Sequence, residues 1–71
     1  MKIEWVDGFT VKVRVDGGDT VVISANPAGL RSLAMQLMAL ADEPYGSHIH
    51  YDAYSSLEEG SVQMIVENTE G

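Results

Sequence analysis

The stretch NPAGLRSLAMQLMALA, residues 26–41, decides the fold because it predicts the helix against which the other elements pack. Asn26 followed by Pro27 is typical of a helix start, since asparagine caps free amides and proline fits the first helical position. Pro44 disfavours helical geometry at the residue before it, so the helix should end near Asp42. Apolar residues recur three and four positions apart and predict one buried stripe: Leu30, Leu33, Ala34, Leu37, Leu40 and Ala41.

Three further residues of this helix indicate what packs against it. Gly29 in the first turn costs about 1 kcal/mol relative to alanine, which predicts close approach of another backbone. Met35 and Met38 flank the stripe, either as gap-filling side chains or as a soft contact surface for a partner.

Before the helix, stretches rich in β-branched and aromatic residues predict a meander of three antiparallel strands near residues 2–6, 9–15 and 20–24. A three-residue turn over residues 6–8, with Gly8 left-handed, pairs Trp5 with Phe9 and Ile3 with Val11. A second turn over residues 16–18 pairs Val21 with Val13 and Ile23 with Val11. The face toward the helix should then carry Ile3, Trp5, Phe9, Val11, Val13, Val15, Val21 and Ile23. The opposite face should carry Lys2, Lys12 and Arg14, either as solvated residues or as a partner surface.

After the helix, alternation predicts two strands near residues 47–52 and 61–67, joined by a longer loop. Ile49 and Tyr51 should point inward with Val62, Met64 and Val66, whereas His48, His50 and Asp52 should point outward. The predicted fold class is therefore α+β, a single domain over residues 1–71 in the order β-β-β-α-β-β, with one helix on one face of an antiparallel sheet.

The outward residues His48, His50 and Asp52 raise the question of a metal site. Alternate residues of a strand lie about 6.6–7 Å apart, so both histidines could reach one ion. A lone His-x-His is a weak signal, however, and the chain has no cysteine. Three interpretations stay open: a metal site, a histidine pair facing a partner, or an imidazole that caps a loop carbonyl. No nucleophile, nucleotide or cofactor motif occurs, which disfavours an enzyme.

Composition restricts the partner class. The chain has 71 residues and a net charge of −7, with 11 acidic and 4 basic side chains. This balance disfavours nucleic acid and anionic membranes and fits a basic protein partner. The amino terminus has no apolar signal region and the longest apolar stretch is far below the roughly 20 residues of a membrane span, which predicts a cytoplasmic protein. So small a core predicts a homodimer, through an edge strand or the helix flank of Met35 and Met38.

Three short motifs, NPAGLRSLA (residues 26–34), GSHIHYD (residues 46–52) and LEEGS (residues 57–61), resemble the immunity protein 32 family of bacterial polymorphic toxin systems. The resemblance implies a non-catalytic protein that binds and neutralises a cognate toxin. It carries over the motif residues without a role for each: Gly29, Leu30, His50, Asp52, Gly60 and Ser61.

An inhibitor of a basic toxin needs an acidic surface with aromatic anchors, which residues 51–59 supply. The candidate partner-binding residues are His48, His50, Asp52, Tyr54, Glu58 and Glu59. Alternatively, Tyr54 and Leu57 pack this loop onto the domain edge. Two other functions stay open: a homodimeric structural or regulatory module, and a small metal-binding protein that uses the His-x-His strand.

Overall fold

The computed structural model describes residues 1–69, in which one helix follows a β-hairpin and precedes two further strands. The elements are β1 (Val11–Asp16), β2 (Thr20–Ala25), α1 (Pro27–Ala41), β3 (His48–Tyr51) and β4 (Met64–Glu67). The predicted α+β class is confirmed. The strands form two antiparallel two-stranded sheets, β1–β2 and β3–β4, in place of the single sheet that was predicted.

The predicted first strand, residues 2–6, is wrong, because this segment runs alongside the helix without pairing to β1. Two polar helix side chains bind its backbone. The Ser32 hydroxyl accepts a hydrogen bond from the Val6 amide at 2.8 Å, and Gln36 Nε2 donates to the Glu4 carbonyl at 2.7 Å. These bonds satisfy backbone groups that a neighbouring strand would otherwise bind. The turn itself forms, since the Phe9 amide donates to the Val6 carbonyl at 3.1 Å.

The β1–β2 hairpin keeps the predicted faces but not the predicted register. Val21 lies opposite Val15 and Ile23 lies opposite Val13, two residues away from the predicted pairs. The tight turn begins one residue later than expected because Gly17 and Gly18 both have positive φ, of 65° and 78°. A shift of two residues leaves every side chain on the same face, so hydrophobic alternation alone could not detect it.

Residues 58–62 join the two sheets into one layer of strands. The amides of Glu58 and Val62 donate to the carbonyls of Val11 and Val13 at 2.8 and 2.9 Å. The Val13 amide in turn donates to the Ser61 hydroxyl at 3.1 Å. The layer therefore runs in the order β2, β1, residues 58–67, β3.

Helix α1 begins and ends as predicted. Asn26 Oδ1 accepts hydrogen bonds from the amides of Gly29 at 2.8 Å and Thr10 at 3.0 Å, so the cap also holds the start of β1. The helix ends at Ala41, with Asp42 as its cap. At Gly29 a Cβ atom would overlap the carbonyl oxygen of Thr10, which confirms the predicted close approach of another backbone.

The buried face of α1 differs from the predicted leucine stripe. Leu33 and Leu40 are buried, but Leu30 and Leu37 are exposed. The close crossing at Gly29 turns the helix so that its buried residues are Gly29, Ser32, Leu33, Gln36 and Leu40. Polar side chains that bind the amino-terminal segment thus take the place of two predicted leucines.

The core is correspondingly small. Its buried apolar residues are Val11, Val13, Leu33, Leu40, Ile49, Tyr51 and Leu57. Of the face predicted to be buried, Trp5 and Phe9 are only half-buried, whereas the remaining four residues are exposed: Ile3, Val15, Val21 and Ile23. They are exposed because α1 runs diagonally, from the base of β1 and β2 at Gly29 to Asn68 beyond β4. Among the described residues, no helix has the length and apolar character needed to cross a membrane.

Candidate functional site

Strand β3 presents two histidines on its outer face. His48 and His50 are exposed, whereas Ile49 and Tyr51 are buried, so the predicted alternation is confirmed. The two imidazole rings lie 4.9 Å apart, edge to face. His48 Nδ1 lies 3.1 Å from the Gly46 carbonyl oxygen, which fits an imidazole that caps a loop carbonyl. That bond needs the proton on Nδ1, and in a neutral ring Nε2 is then left as an acceptor.

Asp52 organises the loop that follows β3. Its Oδ1 accepts hydrogen bonds from the Tyr54 amide, the Ser55 amide and the Ser55 hydroxyl at 2.9–3.0 Å. The bond from the Ser55 hydroxyl is the main reason that the pKa of Asp52 lies below its ordinary value of 3.8. The loop ends at Leu57, which is buried, while Tyr54 is fully exposed. The interpretation that both residues pack the loop onto the domain therefore holds for Leu57 alone.

A cleft of about 420 Å³ lies between β3 and the amino-terminal segment, and we call it the N-terminal cleft. Its walls combine apolar side chains with imidazole and hydroxyl groups. They are formed by Met1, Ile3, Trp5, His48, Ile49, His50, Tyr51, Ser55 and Ser56. All four residues of β3 contribute because the edge of β3 that faces this segment has no strand partner among residues 1–69.

The wall opposite β3 is held in place by a hydrogen-bonded chain through the core. Gln36 donates to the Glu4 carbonyl and accepts from the Tyr51 hydroxyl at 2.8 Å. Burial raises the pKa of Tyr51 above its ordinary value of 10.0, which is itself well above neutral pH, and the protonated phenol donates to Gln36. Trp5 stacks on Phe9 at a centroid distance of 4.2 Å and meets the Tyr51 ring edge-on at 6.1 Å. The shape of the cleft therefore depends on these core residues.

The remaining predicted site residues lie elsewhere. Asp52 and Tyr54 line a second cleft, of about 440 Å³, together with Ala53, Ser61 and Gln63. Glu58 and Glu59 are exposed and line neither cleft, because the Glu58 amide is bound to β1. The structure thus divides the six predicted residues among the N-terminal cleft, the second cleft and the start of residues 58–62.

Asp52 is not placed as a third metal ligand beside the two histidines. Oδ1 of Asp52 already accepts three hydrogen bonds within its own loop. Over residues 1–69, no group of three or more histidine, cysteine, aspartate or glutamate side chains is placed to hold an ion. The Ser55 hydroxyl donates to Asp52, so its proton is directed to a carboxylate and not to an imidazole base.

Several outer-face and cleft residues were not among the predicted site residues. Ile65 lies opposite His50, and Glu67 lies opposite His48, so both belong to the same face of the β3–β4 sheet. The alternation that placed Met64 and Val66 inside would have identified this pair, and both of those residues are indeed half-buried. Val62, which was predicted inside with them, is exposed. No sequence pattern indicated that Ile3 lines a cleft, because residues 2–6 were predicted to form a strand of the sheet.

Several residues of the resemblance motifs have clear structural roles. Gly29 permits the helix to cross β1, and Ser61 accepts the hydrogen bond from the β1 amide at Val13. Gly60 has a φ of 88°, a left-handed conformation that favours glycine. Leu30 is exposed, and the exposed side chain of His50 makes no hydrogen bond within residues 1–69.

Comparison with known proteins gives one match. The family profile described as immunity protein 32 matches residues 20–69, which is more than half of the chain. No curated protein and no solved structure matches. The profile covers the helix, both histidines of β3, the Asp52 loop and β4, and on that ground the chain belongs to the immunity protein 32 family.

Proposed function

We propose that this chain is an immunity protein that binds a cognate toxin and neutralises it without catalysing a reaction. Membership of the immunity protein 32 family is the observation that carries this proposal. The net charge of −7 supports a basic toxin, since a negative surface speeds the encounter with a positive one. We place this binding in the cytoplasm, as the sequence analysis indicated.

The toxin-binding surface that we propose consists of the N-terminal cleft and the adjoining outer face of β3. Interfaces gain most of their affinity from a few aromatic and apolar side chains in a pocket surrounded by polar groups. Trp5 and Ile3 supply apolar surface in the cleft, and His48 and His50 supply hydrogen-bonding groups at its edge. A side chain of the toxin could enter this cleft from solvent without displacing the core.

Tyr54 and the acidic residues extend the proposed surface beyond the N-terminal cleft. Tyr54 is fully exposed on a loop that Asp52 holds in one conformation, so its ordering costs little entropy on binding. Glu58, Glu59 and Glu67 are exposed and add negative charge. Rim charges of this kind act chiefly on the rate of association, which salt then lowers.

The hydrogen bonds of Ser55 support binding as the mechanism. Acyl transfer by a serine needs its hydroxyl within reach of a base that can take its proton. In the cleft, Ser55 is engaged with Asp52, whose lowered pKa makes it a poor base at neutral pH. Neutralisation by occupying the toxin surface needs no such group.

The test is capture of the toxin from the native cell with the purified chain as bait, followed by affinity measurements with single variants. His50→Ala and Tyr54→Ala should each weaken binding by roughly 10-fold or more, with unfolding midpoints close to that of the parent. Tyr45→Ala is the matched control, because Tyr45 is also an exposed tyrosine but lies in the α1–β3 connection. It should leave affinity within about threefold of the parent.

Other results would redirect the proposal. Unchanged affinity in a protein that carries both substitutions would exclude the β3 surface and move the interface first to the basic face of Lys12 and Arg14. Capture of no toxin, together with zinc that is retained through purification and lost in His48→Ala, would favour the metal-binding alternative. A homodimer is compatible with toxin binding, because the apolar face of the β1–β2 hairpin that α1 leaves uncovered lies at the opposite end of the strand layer from the cleft.

A further inference from the structure

The face of the β1–β2 hairpin that meets α1 is only partly covered by the helix. Val11 and Val13 are buried, but Val15, Val21 and Ile23 on the same face are exposed, and Val21 keeps 63% of its surface open. The helix leaves this corner open because it crosses from the base of the hairpin toward β4. Half of one apolar sheet face therefore has no covering layer.

One flank of α1 continues this uncovered face. Leu30 and Leu37 are exposed, at 55% and 43%. They lie seven positions apart, on the same side of the helix and away from Ser32 and Gln36, which bind the amino-terminal segment. Since that segment and β3 occupy the other side, the exposed flank faces the β2 side of the layer.

Strand β2 is also an unprotected edge. It pairs with β1 on one side only, so its other side presents backbone N–H and C=O groups without a strand partner in the part of the chain that the structure describes. Soluble proteins usually protect such edges with charges, proline or a bulge. The six residues of β2, TVVISA, contain no charged side chain and no proline.

We propose that the uncovered apolar face and the free edge of β2, which we call the β2 face, form the interface between two copies of this chain. It consists of Val15, Val21, Ile23, Leu30 and Leu37 with the edge of β2. Antiparallel pairing of β2 with β2 of a second copy about a twofold axis would make a four-stranded sheet, in which each helix flank covers the other copy's hairpin.

Area supports a second copy as the occupant. Five large apolar residues at about half exposure amount to on the order of 400 Å², within the range of the largest patch on a typical monomer. A stable interface buries roughly 800 Å² per partner, and pairing of the β2 edges would supply the rest.

Charge favours a second copy over the toxin on this face. The chain has 11 acidic residues, yet none occurs within β2 or among the exposed apolar positions of the helix flank. A basic toxin would gain nothing electrostatically here. Two copies of charge −7 can meet on the β2 face while their acidic residues stay apart, and salt should strengthen the dimer by screening their long-range repulsion.

The test is sedimentation of the full chain across the micromolar range at low and high salt, without any toxin. The parent should be a dimer that dissociates on dilution and becomes tighter at high salt. Val21→Lys and Leu37→Lys should each raise the dissociation constant by roughly 100-fold, because symmetry places two new lysines in one uncharged interface. Both residues are exposed, so circular dichroism should show the parent's fold.

Ile65→Lys and Met35→Lys are the matched controls. Ile65 is 54% exposed on the outer face of β4, and Met35 is 48% exposed on the other side of the helix. Both should leave the dissociation constant within about threefold of the parent. A parent that stays monomeric throughout, a dimer that weakens in salt, or a dimer lost equally in the controls would overturn the proposal. A monomeric parent whose toxin binding is lost in Val21→Lys would assign the β2 face to the toxin instead.

Discussion

Replacing Gln36 with leucine should destabilise the protein and loosen one wall of the N-terminal cleft. Gln36 is 2% exposed, and its amide links the Glu4 carbonyl to the Tyr51 hydroxyl. Leucine has a similar size, so the cavity cost is small. Each lost hydrogen bond costs about 1 kcal/mol, and the buried Tyr51 hydroxyl left without its acceptor costs about 1–3 kcal/mol. We therefore expect a loss of about 2–4 kcal/mol, a large part of the stability of a domain this small.

A double-mutant cycle separates the polar link from simple packing. Tyr51→Phe alone leaves Gln36 Oε1 buried without a donor and should cost about 1–2 kcal/mol. In the double variant, Gln36→Leu with Tyr51→Phe, neither polar group remains unpaired. Its loss should be smaller than the sum of the two single losses by about 1 kcal/mol or more.

The assay is urea unfolding followed by far-ultraviolet circular dichroism, with the emission of Trp5 recorded separately in native buffer. In Gln36→Leu the native emission should move to the red while the dichroism is unchanged, because the segment that carries Trp5 loses its bond at Glu4. Strictly additive losses in the double variant would refute the coupling between Tyr51 and Gln36. Unchanged stability of Gln36→Leu would refute the role of this side chain altogether.

Three further substitutions test other parts of the structure. Gly29→Ala should lower the free energy of unfolding by about 1–3 kcal/mol despite the better helix propensity of alanine, because the new Cβ overlaps the Thr10 carbonyl; thermal unfolding measures this. The lowered pKa of Asp52 means that its contribution is present above the ordinary value of 3.8 and lost as pH falls through the lowered pKa. The fall in stability below about pH 4 should therefore be shallower in Asp52→Asn, in which the side-chain oxygen can still accept from Ser55; urea unfolding at a series of pH values checks this. Trp5→Ala should cost about 2–3 kcal/mol, less than a fully buried tryptophan, and the parent's emission should be blue-shifted in the native state.

The helix was predictable because its signals are local. The Asn26 side chain caps the first turn and the Pro27 ring fits the first helical position, so both mark the start of the helix. Pro44 limits its end. Gly29 was informative for the same reason, since an unfavourable residue inside a helix indicates a close neighbour. The outward direction of His48 and His50 followed from strand alternation alone.

The amino-terminal segment was not predictable from its own residues. Its β-branched and aromatic side chains favour a strand, but its backbone is bound by Ser32 and Gln36 instead. Ser32 and Gln36 lie four positions apart on the buried helix face. This spacing indicates a polar contact along the helix, but the leucine pattern favoured a different buried face. The N-terminal cleft exists only because of this placement, so strand and helix patterns could predict the histidines but not the cleft beside them.

The measurement that tests the central claim most directly is a titration of toxin activity with the purified chain. Neutralisation by binding predicts that residual activity falls linearly to an end point at molar equivalence, and that the end point does not change with longer incubation. His50→Ala should require an excess of chain, whereas Tyr45→Ala should match the parent. Loss of toxin activity at far less than molar equivalence, progressing with time, would mean that the chain acts as a catalyst and would contradict the account.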